Sequence, residues 1–141
     1  MARQDSRLDH LSNMWLFSGC SRKELSLIAR ASDEVQVPAG RVLCDEGRVG
    51  QQFFLIINGQ AVVKRKGRKI AMLGPGQYFG EQALLDRMPR SASVASHTDM
   101  DLLVLGQREF NGVIEQIPSL ARKMLSAMSM RLRGADPKVY T

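Results

Sequence analysis

The chain has 141 residues, 44% of them apolar, and a net charge of +6 from 20 basic and 14 acidic residues. That length suits one domain with its own hydrophobic core, and the composition excludes a disordered or collagen-like chain. The longest apolar run, Phe53-Phe54-Leu55-Ile56-Ile57, is too short to cross a bilayer. The N-terminal Met1-Ala2-Arg3-Gln4-Asp5 lacks the apolar core of a secretion signal, so the expectation is a cytoplasmic protein that does not enter a membrane.

In chain order, the stretch to about Ala31 reads as a helical lead-in, over roughly 6–31. Ser21-Arg22-Lys23-Glu24 is a capping box, with Ser21 at the N-cap and Glu24 three positions into the helix. Leu25, Ile28 and Ala29 follow at helical spacing. Trp15, Leu16 and Phe17 form an apolar knot ahead of that helix. Cys20 and Cys44 are too few for a disulfide scaffold and are expected as small, partly buried thiols in a reducing compartment.

From about 34 to 105 the pattern changes to short strands between turns. Glu34–Val37 alternates and stops at Pro38-Ala39-Gly40. Val42-Leu43-Cys44 precedes Asp45-Glu46-Gly47, and Phe53–Ile57 precedes the turn signal Asn58-Gly59. Ala61–Lys64 and Lys69–Leu73 flank Gly67 as a hairpin. Its tip, Lys64-Arg65-Lys66-Gly67-Arg68-Lys69, holds five of the 20 basic residues. With no aromatic side chain for base stacking, the run is expected as a solvated tip that discourages edge pairing rather than a nucleic-acid or membrane patch. Ser93–His97 and Asp101–Leu105 complete the strands.

Helix returns at about 107–133. Phe110, Val113, Ile114 and Ile117 recur at helical spacing, and Pro118 closes one helix and opens the next. Leu120, Met124, Leu125, Met128 and Leu132 make an apolar stripe before Gly134 and Pro137 end the pattern. The whole reads as a single, mainly β domain. Its expected fold is a double-stranded β-helix, a jelly-roll-like β-roll, with N-terminal helices and two C-terminal helices.

One segment breaks the strand rhythm: Gly76-Gln77-Tyr78-Phe79-Gly80-Glu81-Gln82-Ala83-Leu84-Leu85, continuing to Pro89-Arg90-Ser91-Ala92. Glu81–Leu85 are good helix formers, so one short helical turn opened by Gly80 is expected. Unpaired N–H groups at such a turn favour an anion, Arg90 offers a planar fork for phosphate oxygens, and Ser91 offers a hydroxyl. Glu81 would repel phosphate but can accept a hydrogen bond from a sugar hydroxyl. Together these residues suit a sugar ring bearing a phosphate.

Phe-Gly-Glu-x-Ala-Leu-Leu followed by Pro-Arg-Ser-Ala resembles the phosphate-binding cassette of cyclic nucleotide-binding domains, a family that includes bacterial catabolite activators, protein kinase A regulatory subunits and nucleotide-gated channels. The resemblance runs from about Trp15 to Leu132, and the turn glycines Gly40, Gly47, Gly59 and Gly76 fit it. It implies that Glu81 holds the ribose 2′-hydroxyl and Arg90 the cyclic phosphate. Backbone N–H groups near Gly80, Gln82 and Ala83 then support phosphate and ribose, Ser91 contacts a phosphate oxygen, Ala92 lies against the ligand, and Ile70 walls the base. Serine after the arginine resembles the bacterial cAMP receptors, so cAMP is the implied ligand, with cGMP the alternative.

Counting from Pro118, the purine-contacting positions of the activators' long helix fall at Ala135 and Asp136, just past Gly134, which leaves Met128, Arg131 or the tail around Tyr140 to cover the base. The sequence up to Thr141 contains no DNA-reading module, so direct DNA binding is not expected. The implied role is a non-catalytic sensor that signals through its C-terminal helices to an effector protein, with a homodimer through the last helix as an option. The alternative is a protein-interaction module that kept the fold and lost the ligand. A metal-dependent enzyme of cupin type would need several His and acidic ligands together, and His10 and His97 are far apart in sequence; neither catalytic residues, a metal site nor a cofactor is expected.

Overall fold

The computed structural model describes residues 2–85 and 89–134, with the side chains of 2–6, Gln82 and 131–134 outside that description. Helix α1 (Ala2–Ser12), a 3-10 turn (Trp15–Phe17) and α2 (Arg22–Ala31) lead into eight strands. These are β1 (Asp33–Val37), β2 (Val42–Cys44), β3 (Gln52–Asn58), β4 (Ala61–Arg65), β5 (Arg68–Leu73), β6 (Tyr78–Phe79), β7 (Ser93–Ser96) and β8 (Met100–Gly106). Helices α3 (Gln107–Gln116) and α4 (Pro118–Gly134) follow.

The capping box forms as the sequence predicts. Glu24 N–H donates to Ser21 Oγ at 3.2 Å, and Ser21 N–H donates to Glu24 Oε1 at 2.8 Å. Glu24 then does a second job: Lys123 Nζ, from α4, lies 2.5 Å from its Oε1 and ties the first turn of α2 to the last helix. The Lys123 hydrogen bond, more than any other contact, holds the Glu24 carboxyl below its ordinary range. The same neighbourhood pushes the Cys20 thiol up to about 11, mainly by burial and secondly by the Glu24 charge.

The strands make two antiparallel four-stranded sheets, ordered β1-β8-β3-β6 and β2-β7-β4-β5. The apolar run of β3 is continuous because both of its faces are covered. Phe53 and Leu55 join Leu103 and Leu105 of β8 beneath the helices, together with Leu11, Phe17, Leu25, Phe110 and Leu120. Phe54 and Ile56 point the other way, with Leu102 and Val104, into the interior between the sheets, where Cys44, Ala61 and Val94 of the second sheet meet them. Phe54 stacks on Phe79 of β6 with centroids 4.9 Å apart. The architecture is thus a β-roll with helices packed on one outer face.

Turn chemistry sets the registers. At Gly59 φ is +93°, and a Cβ there would run into the backbone of Asp99 and Met100; only glycine fits. The β4–β5 hairpin turns through Lys66 and Gly67, with φ of 53° and 78°, the two positive values of a type I′ turn. Lys64 through Ile70 are all exposed, and β5 is an edge strand, so the charges sit where they discourage edge pairing. Cys20 and Cys44 are both free. No described helix is long and apolar enough to cross a membrane.

Candidate functional site

The roll interior opens into a cavity of about 280 Å³ between the second sheet and the β6–β7 connection. The turn Gly74-Pro75-Gly76 leads to it: Gly74 N–H donates to Gln77 Oε1 at 2.7 Å, and Gln77 N–H donates back to Gly74 O at 3.0 Å. Strand β6 is only two residues long. After it, Gly80 takes φ of +78°, and a Cβ would lie 2.7 Å from Arg90 Nη1 and 2.9 Å from Gln52 O. The helical turn expected over Glu81–Leu85 is a 3-10 turn, Glu81–Leu84, closed by Ala83 N–H donating to Gly80 O at 3.0 Å. Ala83 and Leu84 are buried, and Leu84 reaches the helix-side core, which fixes the turn and leaves Glu81 half-buried on the cavity wall.

Arg90 is held from all sides. Its N–H donates to Arg48 O at 2.8 Å, and its carbonyl accepts from Gly47 N–H at 2.8 Å. Its guanidinium donates through Nη2 to Gln52 O at 2.6 Å and through Nη1 to Gly80 O at 3.3 Å. Gly50 makes room for it, since a Cβ there would sit on the guanidinium itself. Among the described residues two of the five N–H donors an arginine carries serve carbonyls, and Arg90 lines the cavity.

Glu81, Ala83, Ser91 and Ala92 line the same cavity as Gly80 and Arg90. Gln82 belongs to the 3-10 turn, with its side chain outside the described set. Ile70 is placed elsewhere: it is 50% exposed and absent from the cavity lining. Val63 pairs with Ala71 and Lys64 with Lys69, so Ile70 is the extra residue of a bulge, left without a partner across the ladder. Met128 packs against the helix-side core rather than the cavity. Ala135, Asp136 and Tyr140, and the side chain of Arg131, lie outside the described residues.

Several cavity residues belong to no motif in the sequence. Gly50, Val63, Leu73, Tyr78 and Arg65 all line it. Arg65 comes from the basic run, and its Nε donates to Ser91 O at 3.2 Å. Period-two alternation along β4, from Ala61 through Val63, is the pattern that places it there. Cys44 is also on the wall; burial pushes its thiol up, against the opposing pull of Arg90, and so disfavours the thiolate. Among the described residues no three His, Cys, Asp or Glu side chains converge as metal ligands.

Comparison with known proteins points to one family. The family described as "Cyclic nucleotide-binding domain" matches residues 34–117. The cyclic AMP receptor protein of Thermus thermophilus is 32% identical over 126 residues, covering 86% of this chain and 58% of that protein. A cyclic nucleotide-gated potassium channel of Rhizobium etli is 36% identical over 87% of this chain and 34% of its own length. The chain thus spans less than two thirds of these relatives. Among solved structures, the N-terminal domain of a transcriptional regulator from Streptomyces coelicolor superposes with a TM-score of 0.80 at 28% identity, covering 89% of this chain and 90% of that one. The regulatory domain of Toxoplasma gondii PKA, solved with cAMP, gives a TM-score of 0.73 at 30% identity over 79% of this chain and 44% of that one. A cassette that gathers Gly80, Glu81 and Arg90 around one cavity, in a chain matched over more than half its length, makes this protein a member of the cyclic nucleotide-binding domain family.

Proposed function

We propose that this domain is a sensor that binds a 3′,5′-cyclic nucleotide, cAMP first and cGMP as the alternative, and that it catalyses nothing itself. The observation that carries the reading is the cavity that gathers Gly80, Glu81, Ala83, Arg90, Ser91 and Ala92 in its lining. Arg90, held in place by Gln52 and Gly80, faces the cyclic phosphate with its remaining N–H donors. Glu81 accepts from the ribose 2′-hydroxyl, and the backbone N–H groups of the 3-10 turn support both. Ser91 supplies a hydroxyl on the phosphate side, the feature that favours cAMP.

The ligand acts by favouring one arrangement of α3 and α4 over another, and the Glu24–Lys123 contact is one of the restraints on α4 that such a shift must work against. The output goes to an effector protein, or to a second copy docked through α4, in the cytoplasm and without direct DNA contact. Calorimetric titration with cAMP and cGMP tests this. Wild type is expected to bind, and Arg90→Ala and Glu81→Ala each to weaken binding at least about tenfold, the scale of a lost charge-assisted contact. Binding untouched by both substitutions defeats the site assignment.

A second reading is an interaction module without a ligand. The observation favouring it is that the Arg90 guanidinium is already engaged by two backbone carbonyls. No heat and no thermal shift with either nucleotide at millimolar concentration selects this reading.

A further inference from the structure

The basic run at the β4–β5 hairpin does not share one fate. All five basic residues are exposed, but Lys64, Lys66, Arg68 and Lys69 are absent from the cavity lining, whereas Arg65 is on it. Strand alternation is the cause. Ala61 is fully buried and Val63 lines the cavity, so the next residue of the same parity, Arg65, continues their face. The register carries it along β7: Val63 pairs with Val94 and Lys64 with Ser93, which brings Arg65 within reach of Ser91, whose carbonyl accepts from its Nε. That bond anchors one edge of a planar group.

We propose that Arg65 forms the surface on which the base of the bound nucleotide stacks. The inference rests on the nucleotide-binding reading above and adds a base contact to it. The cavity has two unlike sides. Gly50, Gly80 and Arg90 make the donor-rich side, next to the carbonyls of Gln52 and Gly80. On the second sheet Arg65 stands beside Val63 and Leu73, aliphatic side chains that offer a phosphate nothing and match the flat face of a base. Ile70 is absent from the cavity lining, and the β4 face ends on Arg65. A guanidinium is planar, weakly hydrated and stacks on heterocyclic rings, so it continues an aliphatic floor in a way an ammonium does not.

The test compares wild type, Arg65→Ala and Arg65→Lys by calorimetry against cAMP, cGMP and the base-free ribose 3′,5′-cyclic phosphate. Stacking accepts either purine, so Arg65→Ala is expected to weaken cAMP and cGMP alike, by about tenfold on the scale of one stacked base. Binding of the base-free ligand is expected to stay within about twofold of wild type, since no stacked base is lost. Arg65→Lys, which keeps the charge and loses the plane, is expected to resemble the alanine variant. Equal loss with the base-free ligand makes Arg65 a phosphate contact and overturns the proposal, as does full binding by Arg65→Lys or no loss by Arg65→Ala. Wild type silent toward both nucleotides overturns the nucleotide reading itself and this inference with it. Thermal unfolding of each variant is the control, and unchanged melting is expected for a side chain at an exposed strand end.

Discussion

Strands β3 and β8 carry apolar side chains on both faces, but the two faces meet different things. On the helix side, Phe53, Leu55, Leu103 and Leu105 join a closed cluster with α1, α2, α3 and α4. On the roll side, Phe54, Ile56, Leu102 and Val104 back a smaller cluster, and the space beyond opens into a cavity with Arg65, Glu81 and Arg90 on its walls. The first face is filled with hydrocarbon and stores stability. The second leaves volume unfilled and keeps charged groups at its rim, which costs stability and provides a site. A fold with one well-filled core can carry such a cavity because the two are separated by a single sheet.

That division can be broken at three points. The largest expected effect is on the helix side: Phe17→Ala, at a fully buried position, should cost about 3–5 kcal/mol in denaturant unfolding, while nucleotide affinity below the transition stays as in wild type. An equal loss of affinity would mean that the two faces are not independent. Next is Gly50→Ala. The added methyl must displace the Arg90 guanidinium, so binding should fall at least about tenfold, whereas stability should fall by about 1.5–3 kcal/mol, the value of a hydrogen bond to a charged group. Intact binding would show that Arg90 acts from another position.

The smallest effect is electrostatic. The Glu24 carboxyl sits below its ordinary value of 4.5 in the folded chain, first through Lys123. A group lowered by folding contributes fully above its unfolded pKa and loses that contribution as acid protonates it. Stability should therefore decline as pH falls below the ordinary value of 4.5 and through the lowered folded one, and Glu24→Gln should flatten part of that decline. Unchanged steepness in the glutamine variant would assign the acid sensitivity to other carboxylates.

Local features were the legible ones. The Ser21–Glu24 capping box, the turn at Asn58-Gly59 and the Pro118 junction between α3 and α4 each depend on neighbours a few residues apart, and all three are present. The cassette was legible as a motif, and its cavity-lining members do converge. What supports them was not. Gln52 lies 38 residues from Arg90, and nothing in the spacing of Gly50 indicates that an arginine must pass across it. Ile70 illustrates the limit most sharply, since a motif resemblance does not fix which face of a strand a residue takes, and Ile70, an odd number of positions from the cavity-lining Leu73, is exposed. Arg65 shows the converse: read as one of five like charges it belonged to a solvated tip, and strand parity alone sets it apart.

The clamp around Arg90 has a consequence for the order of events. A long cationic side chain ordinarily gives up its rotational freedom at the moment it grips an anion, and the encounter is weaker by that amount. Here Gln52 and Gly80 already hold the guanidinium, and Gly47 and Arg48 hold the backbone it springs from. The entropy is lost when the chain folds, so an anion entering the cavity meets a guanidinium that no longer has to be found and ordered.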